Sequence, residues 1–459
     1  MTVLESIPQI MSSLQKMFGF DRKIVITLIS RGISIFSTLG TLFFVGLYLS
    51  PVLQGYFYTF YSLIALQSFV ELGLNTAIIQ FASHEMAELR WSNKGMVLGE
   101  PLSIRRLQSL MHFSFCWFGV AAIIVLALLI PIGIIFFQNT DQGSVQIHPE
   151  YAWGLVVFFA AAALLVNAGF AILEGCNKVA EVAMIRAGQI LLSSLAVWGA
   201  LACGAGLYSL AIGGGIILLV GGCSLYAGYK HFFRSLWSRH TGLPGIRWKD
   251  EIWPLQWRIA VSWASGYLIF NLFNPLIFAT HGPIAAGQMG MSLQITSALT
   301  GVAMVWISTK APILGQLIAK NDRKALDHMF NKALLQAAFI FIGAVLVVLF
   351  TIYWLQSNMP IYGVKVLPLI FMIALSGISF ANLIVFAEAA YLRAHKKEPL
   401  MVVSIVGGIT TAILALILIP LFSTAGAIIS YSVGSILISL VWSTLIFIKT
   451  QKTSANLNK

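Results

Sequence analysis

Five ionisable side chains lie within or at the ends of long apolar stretches of this 459-residue sequence: Arg31, Glu71, Glu174, Arg186 and Glu388. A guanidinium group presents a planar fork of donors that matches phosphate oxygens, so Arg31 and Arg186 are candidates for binding a phosphorylated ligand. A carboxylate in an apolar setting binds a proton or a cation more readily than one in water. The glutamates are therefore candidates for coupling a proton or Na⁺ to another event.

Each of these charges also has a structural interpretation. Arg31 and Glu71 are predicted on neighbouring antiparallel helices, where they could form a buried ion pair or line a cavity. Arg186, Glu174 and Glu388 lie close to predicted helix ends, where long side chains extend towards lipid headgroups. Both interpretations stay open at this point.

Amide side chains within the apolar stretches are candidates for hydrogen bonds to a polar ligand or to another helix. The principal candidates are Gln67, Asn75 and Asn271, joined by Asn167, Gln189, Asn274 and Gln294.

The composition predicts an all-α polytopic membrane protein. The mean hydropathy is +0.88, and hydrophobic residues make up 58% of the chain against 10% charged residues. A bilayer core about 30 Å thick requires about 20 apolar residues in helical form. Stretches of that length predict about twelve transmembrane helices: 24–49, 56–79, 109–136, 151–173, 182–203, 207–229, 257–280, 284–308, 328–355, 364–390, 400–421 and 423–448.

The distribution of Lys and Arg predicts the orientation. Basic residues cluster in every second gap between the predicted helices, around 90–106, 230–258, 310–324 and 393–397. In the gaps on the opposite side, Lys365 is the only Lys or Arg. Because basic loops remain in the cytoplasm, both termini are predicted to be cytoplasmic. The net charge of +12 therefore reflects topology and does not indicate a nucleic-acid partner.

The long segment between the sixth and seventh predicted helices, residues 230–256, divides the predicted spans into two lobes of six helices. The predicted segments are a cytoplasmic interfacial segment 1–23, an N-lobe 24–229, a linker 230–256, a C-lobe 257–448 and a cytoplasmic tail 449–459. Pro51 precedes Gly55 by four residues, and Pro283 precedes Gly287 by the same interval at the corresponding outside turn. Six spans per lobe make this repeat parallel, with a pseudo-two-fold axis along the membrane normal.

The chain shows no Ser-His-Asp order, HExxH motif, Walker loop or clustered metal ligands, so we expect no enzymatic activity and no metal or other cofactor. Acid-base chemistry by His84, Glu85 and Glu88 is one interpretation, but a solvated helix face explains these residues more simply. The outside gaps are too short for the loop that a membrane glycan polymerase or transferase would need.

Several segments of the first half resemble bacterial O-antigen and related polysaccharide flippases of the multidrug, oligosaccharidyl-lipid and polysaccharide exporter superfamily. The resemblance rests on Leu49 to Phe60, on Glu71-Leu72-Gly73-Leu74, on Gln80 to Glu85, and on Leu173 to Lys178 followed by Arg186. It implies a V-shaped transporter with the fold of multidrug and toxin extrusion (MATE) proteins. It also implies translocation of an undecaprenyl-pyrophosphate-linked oligosaccharide from the cytoplasmic to the periplasmic leaflet of the bacterial inner membrane by alternating access.

That resemblance leaves one main alternative, a multidrug or cation antiporter of the same superfamily. Peptidoglycan-precursor flippases usually have two additional spans that are not predicted here. The expected partners are the lipid-linked oligosaccharide, membrane lipids and a polysaccharide polymerase machinery, with the protein itself acting as a monomer.

Overall fold

The computed structural model describes residues 22–92, 94–140, 148–237, 245–319, 322–394 and 400–456. Parts of all five predicted segments lie outside the described residues: 1–21 of the N-terminal interfacial segment, 93 and 141–147 of the N-lobe, 238–244 of the linker, 320–321 and 395–399 of the C-lobe, and 457–459 of the tail. The interfacial position of the first segment therefore stays a prediction.

Long apolar sequences form helices throughout the first half of the chain, because a helix satisfies every backbone hydrogen bond within lipid. The helices are α1 Arg22–Tyr48, α2 Pro51–Ile64, α3 Ser68–Glu71, α4 Leu74–Glu85, α5 Pro101–Thr140, α6 Pro149–Gly175, α7 Val179–Ala202 and α8 Tyr208–Trp237. An unpredicted antiparallel hairpin, β1 Leu89–Trp91 with β2 Val97–Gly99, separates α4 from α5. Gly95 allows its turn, with φ of 71°.

The second half is also helical. Its helices are α9 Trp253–Phe270, α10 Phe273–Ala319, α11 Arg323–Asn358, α12 Pro360–Gly363, α13 Leu369–Ala394, α14 Met401–Ser432 and α15 Val441–Asn456. Two π-helical segments, Trp248–Ile252 and Val433–Leu440, precede α9 and α15.

Two of the longest helices are broken by single residues with non-helical backbone angles. Gly282 has φ of 82° and ψ of 178° within α10, and Ser423 has φ of 53° and ψ of −130° within α14. Pro283 follows the first break. Proline has no backbone N–H, so in an unbroken helix it would leave one backbone hydrogen bond unmade. Each break falls at the boundary between two of the predicted spans.

The span count agrees with the predicted fold class. Within the described residues, nine helical stretches are long and apolar enough to cross a membrane, and α2 to α4 together form a further bent span. Dividing the two longest stretches at Gly282 and Ser423 then yields twelve spans. The chain is an all-α multi-pass membrane protein.

Contacts divide the chain into two compact units. Unit 1 comprises Met1–Gly40, Gln67–Ile134 and Glu150–Ala260, and unit 2 comprises Thr41–Leu66, Ile135–Pro149 and Val261–Lys459. Unit 2 thus includes the last turns of α1 and all of α2 along with the helices of the second half. The predicted lobe boundaries at 229 and 257 stay a prediction.

Within unit 2, α2 packs closely against α10 because both helices carry a glycine at their contact. A Cβ added to Gly287 would lie 2.9 Å from the backbone nitrogen of Gly55. Beside them, Gln54 Nε2 donates to the carbonyl oxygens of Gly287 at 2.9 Å and Lys365 at 2.8 Å. Close helix approach through small residues is the usual packing mode in membranes.

Lys365, the exception to the charge pattern, has a structural explanation. Its side chain is only 6% exposed, and Nζ donates to the carbonyl oxygens of Gly46 and Leu49, both at 2.7 Å. These carbonyls belong to the C-terminal end of α1, where unpaired acceptors attract a cation. Burial lowers the pKa of Lys365 from its ordinary value.

Candidate functional site

The second span is broken next to Glu71, one of the predicted site residues. Leu72 and Gly73 both adopt left-handed backbone angles, with φ of 50° and 64°, and separate α3 from α4. The two flanking stretches meet at an angle of 45°. Glu71 is 8% exposed, and its Oε2 accepts a hydrogen bond from Asn75 Nδ2 at 3.3 Å.

Two further predicted site residues flank Glu71, each four positions away. Oε1 of Gln67 and Oδ1 of Asn75 are both buried and have no hydrogen-bond partner among the described residues. Arg31 lies on α1 with an exposed side chain, and no salt bridge joins it to Glu71 in the described part of the chain. The structure thus brings Gln67, Glu71 and Asn75 into one segment, and of the two interpretations left open for Arg31 and Glu71 the described residues do not show the ion pair.

Glu174 and Arg186 form an ion pair between the end of α6 and the start of α7. Arg186 Nε lies 3.2 Å from Glu174 Oε1, and the guanidinium carbon lies 5.2 Å from the ring centroid of Phe170. The side chain of Arg186 is 42% exposed, so the ion pair leaves much of its guanidinium accessible. An accessible ion pair contributes little to stability.

Glu388 is bound by hydroxyl groups of the last helix. Ser443 Oγ donates to one carboxylate oxygen at 2.6 Å and Thr444 Oγ1 donates to the other at 2.8 Å. Glu388 is 3% exposed, and within the described residues no Lys or Arg forms a salt bridge with it. Its carboxylate is therefore paired with neutral donors.

Unit 2 contains a half-open cavity of about 400 Å³ formed by the end of α9 and by α10, α13 and α14. The cavity lies within the size range of small-molecule sites, about 300–1,000 Å³. It is lined by Phe270, Asn271, Leu293, Gln294, Thr296, Ser297, Thr300, Gly301, Met304, Ser379, Asn382, Phe386 and Tyr431. No Asp, Glu, Lys, Arg or His side chain is among these lining residues.

The cavity combines amide and hydroxyl groups with aromatic rings. Asn382 Nδ2 donates to Tyr431 Oη at 2.9 Å, which holds both side chains in place. The ring of Phe270 lies 6.2 Å from that of Phe386 and 6.3 Å from that of Tyr431, between centroids. Such a surface offers both hydrogen bonds and ring faces to an uncharged ligand.

The lining of this cavity was predicted only in part. Asn271 and Gln294 were among the amide candidates, and both line the cavity, whereas Asn75 and Gln67 lie in unit 1. Ser379, Asn382 and Tyr431 were missed. The sequence contained a usable signal for a polar cavity lining. Polar residues recur three or four positions apart within otherwise apolar helices, as at Ser297 and Thr300, and therefore share one helix face.

A charged cluster in unit 1 at the start of α5 includes Glu85, which is only 5% exposed, so Glu85 does not lie on the solvated helix face that was expected. Arg106 Nε lies 2.6 Å from Glu85 Oε1, and its Nη2 lies 2.5 Å from Glu251 Oε2. Partial burial opposes the charge of Glu251, but hydrogen bonds from the Arg247 backbone N–H and from Arg106 outweigh this effect and lower its pKa. The cluster ties the Trp248–Ile252 segment of the predicted linker to α4 and α5.

Among the described residues, no three or more His, Cys, Asp and Glu side chains lie together in a group that could hold a metal ion.

Similarity to known proteins is found at the level of the fold. No protein-family model matches the sequence, and no curated protein matches it either. Solved structures do match over nearly the whole chain. One is an inward-facing multidrug resistance MATE transporter, with 15% identity, a TM-score of 0.61 and coverage of 97% of this chain and 99% of that one.

Two further structures are similar to the same extent. The lipid II flippase MurJ in an inward closed conformation has 14% identity, a TM-score of 0.63 and coverage of 94% and 90% of the two chains. The MATE multidrug transporter DinF-BH in complex with the dye rhodamine 6G has 14% identity, a TM-score of 0.61 and coverage of 97% and 96%. The chain therefore has the fold that MATE transporters and MurJ share.

Proposed function

We propose that this protein is a flippase that moves an undecaprenyl-pyrophosphate-linked oligosaccharide, such as an O-antigen repeat unit, from the cytoplasmic to the periplasmic leaflet. The observation that carries the proposal is the cavity of unit 2, which is lined by amides, hydroxyls and aromatic rings without an acidic or basic side chain. Sugar hydroxyls exchange hydrogen bonds with amides, and the apolar faces of sugar rings pack on aromatic rings. The lining suits a neutral glycan better than a cationic drug.

Arg31 and Arg186 are the proposed ligands of the diphosphate. Arg31 is exposed, the side chain of Arg186 is 42% exposed, and both residues lie in helices that begin near predicted cytoplasmic loops. The pair with Glu174 engages Nε of Arg186, while its Nη groups form no ion pair with the described residues, so they retain donors for phosphate oxygens. In this proposal the charged end and the glycan of one substrate are recognised by chemically different groups.

The proposal includes the predicted membrane setting. The protein would lie in the bacterial inner membrane with both termini in the cytoplasm, and its two lobes would expose the substrate site to each side in turn. It would act as a monomer and deliver its substrate to a polysaccharide polymerase machinery. Its chemistry is transport, so no covalent bond of the substrate changes.

A multidrug antiporter is the second candidate, and one observation favours it: the fold is shared with a MATE multidrug transporter in complex with rhodamine 6G. Organic cations are usually bound by carboxylates together with aromatic rings. The cavity supplies Phe270, Phe386 and Tyr431, but none of its lining residues is a carboxylic acid. This chemistry favours the flippase.

Deletion of the gene separates the two candidates. The flippase proposal predicts loss of surface glycan and accumulation of lipid-linked oligosaccharide in the cytoplasmic leaflet, with unchanged sensitivity to cationic drugs. Normal surface glycan together with drug hypersensitivity would establish the antiporter instead. Complementation with the wild-type gene is the control for effects on neighbouring genes.

A further inference from the structure

We infer that Asn382 and Tyr431 determine which sugars the cavity of unit 2 accepts, by binding two hydroxyl groups on adjacent carbons of one sugar ring. This inference rests on the proposed function and adds to it the residues and the chemical group that they recognise. Both residues line the cavity and lie within unit 2.

The hydrogen bond between these two side chains fixes the roles that are left for a ligand. Asn382 Nδ2 donates to Tyr431 Oη at 2.9 Å, and no other hydrogen bond of either side chain is found among the described residues. Because the phenol oxygen accepts this bond, its own proton can be donated elsewhere. The amide oxygen Oδ1 of Asn382 is left as an acceptor. The two side chains therefore present one donor and one acceptor next to each other.

Packing holds both side chains in one orientation. Asn382 is 6% exposed and Tyr431 is 5% exposed. The ring of Tyr431 lies 5.3 Å from that of Phe273 and meets that of Phe270 edge to face at 6.3 Å. The π-helical segment Val433–Leu440 begins two residues after Tyr431, and such segments often occur at functional sites. Side chains that are already ordered lose little conformational entropy when a ligand binds.

The hydroxyl groups of the cavity lining differ in whether they are already bonded. Thr296 Oγ1 donates to the carbonyl oxygen of Ser292 at 3.1 Å, and Thr300 Oγ1 donates to that of Thr296 at 3.0 Å. In contrast, Ser379 Oγ forms no hydrogen bond with the described residues. Ser379 precedes Asn382 by three residues and lies on the same face of α13. A third polar group that can bind a ligand therefore lies beside Asn382.

Two hydroxyl groups on adjacent ring carbons match this arrangement. One hydroxyl oxygen accepts the proton of Tyr431 and the other hydroxyl donates to Asn382 Oδ1, since each sugar hydroxyl can take either role. The N–H and C=O of a trans acetamido group point in opposite directions, so that group would satisfy only one of the two side chains. A carboxylate or a phosphate diester offers acceptors alone and would leave Asn382 Oδ1 unmatched.

Binding of chemically altered glycan to the purified full-length protein tests this inference. The probe is undecaprenyl-pyrophosphate-linked oligosaccharide from the deletion strain, used intact or after periodate oxidation and borohydride reduction. This treatment opens sugar rings between adjacent hydroxyl groups and keeps the lipid and the diphosphate. The wild type in detergent should bind the intact form at least about tenfold more tightly, because the opened ring leaves buried polar groups of the protein unmatched.

Substitutions assign this preference to the two side chains. Tyr431→Phe removes the donor, so it should weaken binding of the intact form about tenfold and leave binding of the oxidised form nearly unchanged. Asn382→Asp reverses the bond between the side chains, because a carboxylate accepts and the phenol must donate to it, and it should reduce the preference in the same way. Thr300→Val is the matched control, since its hydroxyl lines the cavity but is bonded within α10, and it should bind as the wild type does.

The outcomes separate this inference from the proposed function. Equal affinity of the wild type for the two forms would overturn the inference and leave the flippase proposal standing, as would a glycan that consumes no periodate. An undiminished preference in folded Tyr431→Phe would also overturn it. Thermal unfolding identifies a variant that fails to fold, and Asn382→Asp then decides. If the folded wild type binds neither form, the flippase proposal fails together with the inference.

Discussion

Gly55 of α2 and Gly287 of α10 contact each other, although the repeat of the sequence places them at equivalent positions in two different halves. A Cβ on Gly287 would approach the Gly55 nitrogen to 2.9 Å, and a Cβ on Gly55 would overlap the carbonyl group of Pro283. Because the obstructing atoms are backbone, no side-chain rotation relieves the overlap. The repeated Pro-x-x-x-Gly turn therefore packs against its own counterpart.

Replacement of Gly55 by Ala should destabilise the protein by about 1–3 kcal/mol, the usual cost of overpacking a close contact. The measurement is the midpoint of thermal unfolding in detergent. Gly343→Ala is the matched control, because a Cβ there meets no atom within 4 Å. If Gly55→Ala unfolds at the same temperature as the control, the close contact between Gly55 and the Pro283 carbonyl group does not exist in the folded protein.

Lys365 should contribute to the same region through its hydrogen bonds to Gly46 and Leu49. Lys365→Met keeps most of the side-chain volume but leaves these carbonyls without their donor, which should cost about 1–3 kcal/mol. Unfolding midpoints of the two proteins measure the difference. A variant as stable as the wild type would show that the carbonyls find other partners.

The hydropathy pattern predicted the twelve spans because lipid imposes the same length and composition on every helix. It did not predict the break at Leu72 and Gly73, since leucine rarely adopts a left-handed conformation and the neighbouring sequence is as apolar as that of an intact span. Asn271 was a candidate because an amide in a span is unusual. Tyr431 was not, because a single tyrosine commonly packs between helices, and only tertiary packing places it at the cavity.

Acid should weaken the attachment of the linker through Glu251. The pKa of Glu251 is lower in the folded protein than in the unfolded chain, so its contribution is fully present above the unfolded value of about 4.3 and is lost as the pH falls through the folded value. Between pH 7 and pH 4, Glu251→Gln should lose less stability than the wild type. Thermal unfolding at both pH values measures this, and identical losses would contradict the assigned ion cluster with Arg106.

Substitutions of Arg186 and of Glu174 should differ in their effects on surface glycan, although the two residues form one ion pair. If Arg186 binds a diphosphate, Arg186→Ala should strongly reduce surface glycan and Arg186→Lys should reduce it less, because lysine keeps the charge without the planar fork. Glu174→Gln removes an accessible pair that contributes about 0–1 kcal/mol and should have a small effect. Surface glycan normalised to protein level is the measurement, and full complementation by folded Arg186→Ala would exclude the phosphate role.

Filling the cavity should block transport without disturbing the fold. A Cβ on Gly301 meets no atom within 4 Å, so Gly301→Leu extends into the cavity that Gly301 lines. Loss of that space should reduce surface glycan about tenfold or more. Gly343→Leu adds the same side chain on an exposed face of α11 and should have no effect. Equal glycan levels in the two variants would remove the cavity from the substrate path.

Translocation in proteoliposomes tests the central claim most directly. The purified protein would be reconstituted with undecaprenyl-pyrophosphate-linked oligosaccharide isolated from the deletion strain, and a membrane-impermeant lectin would report glycan that reaches the outer leaflet. Rhodamine 6G uptake would be measured in parallel vesicles. We predict glycan translocation well above that of protein-free vesicles, with no transport of the dye. Dye transport without glycan translocation would contradict the flippase proposal.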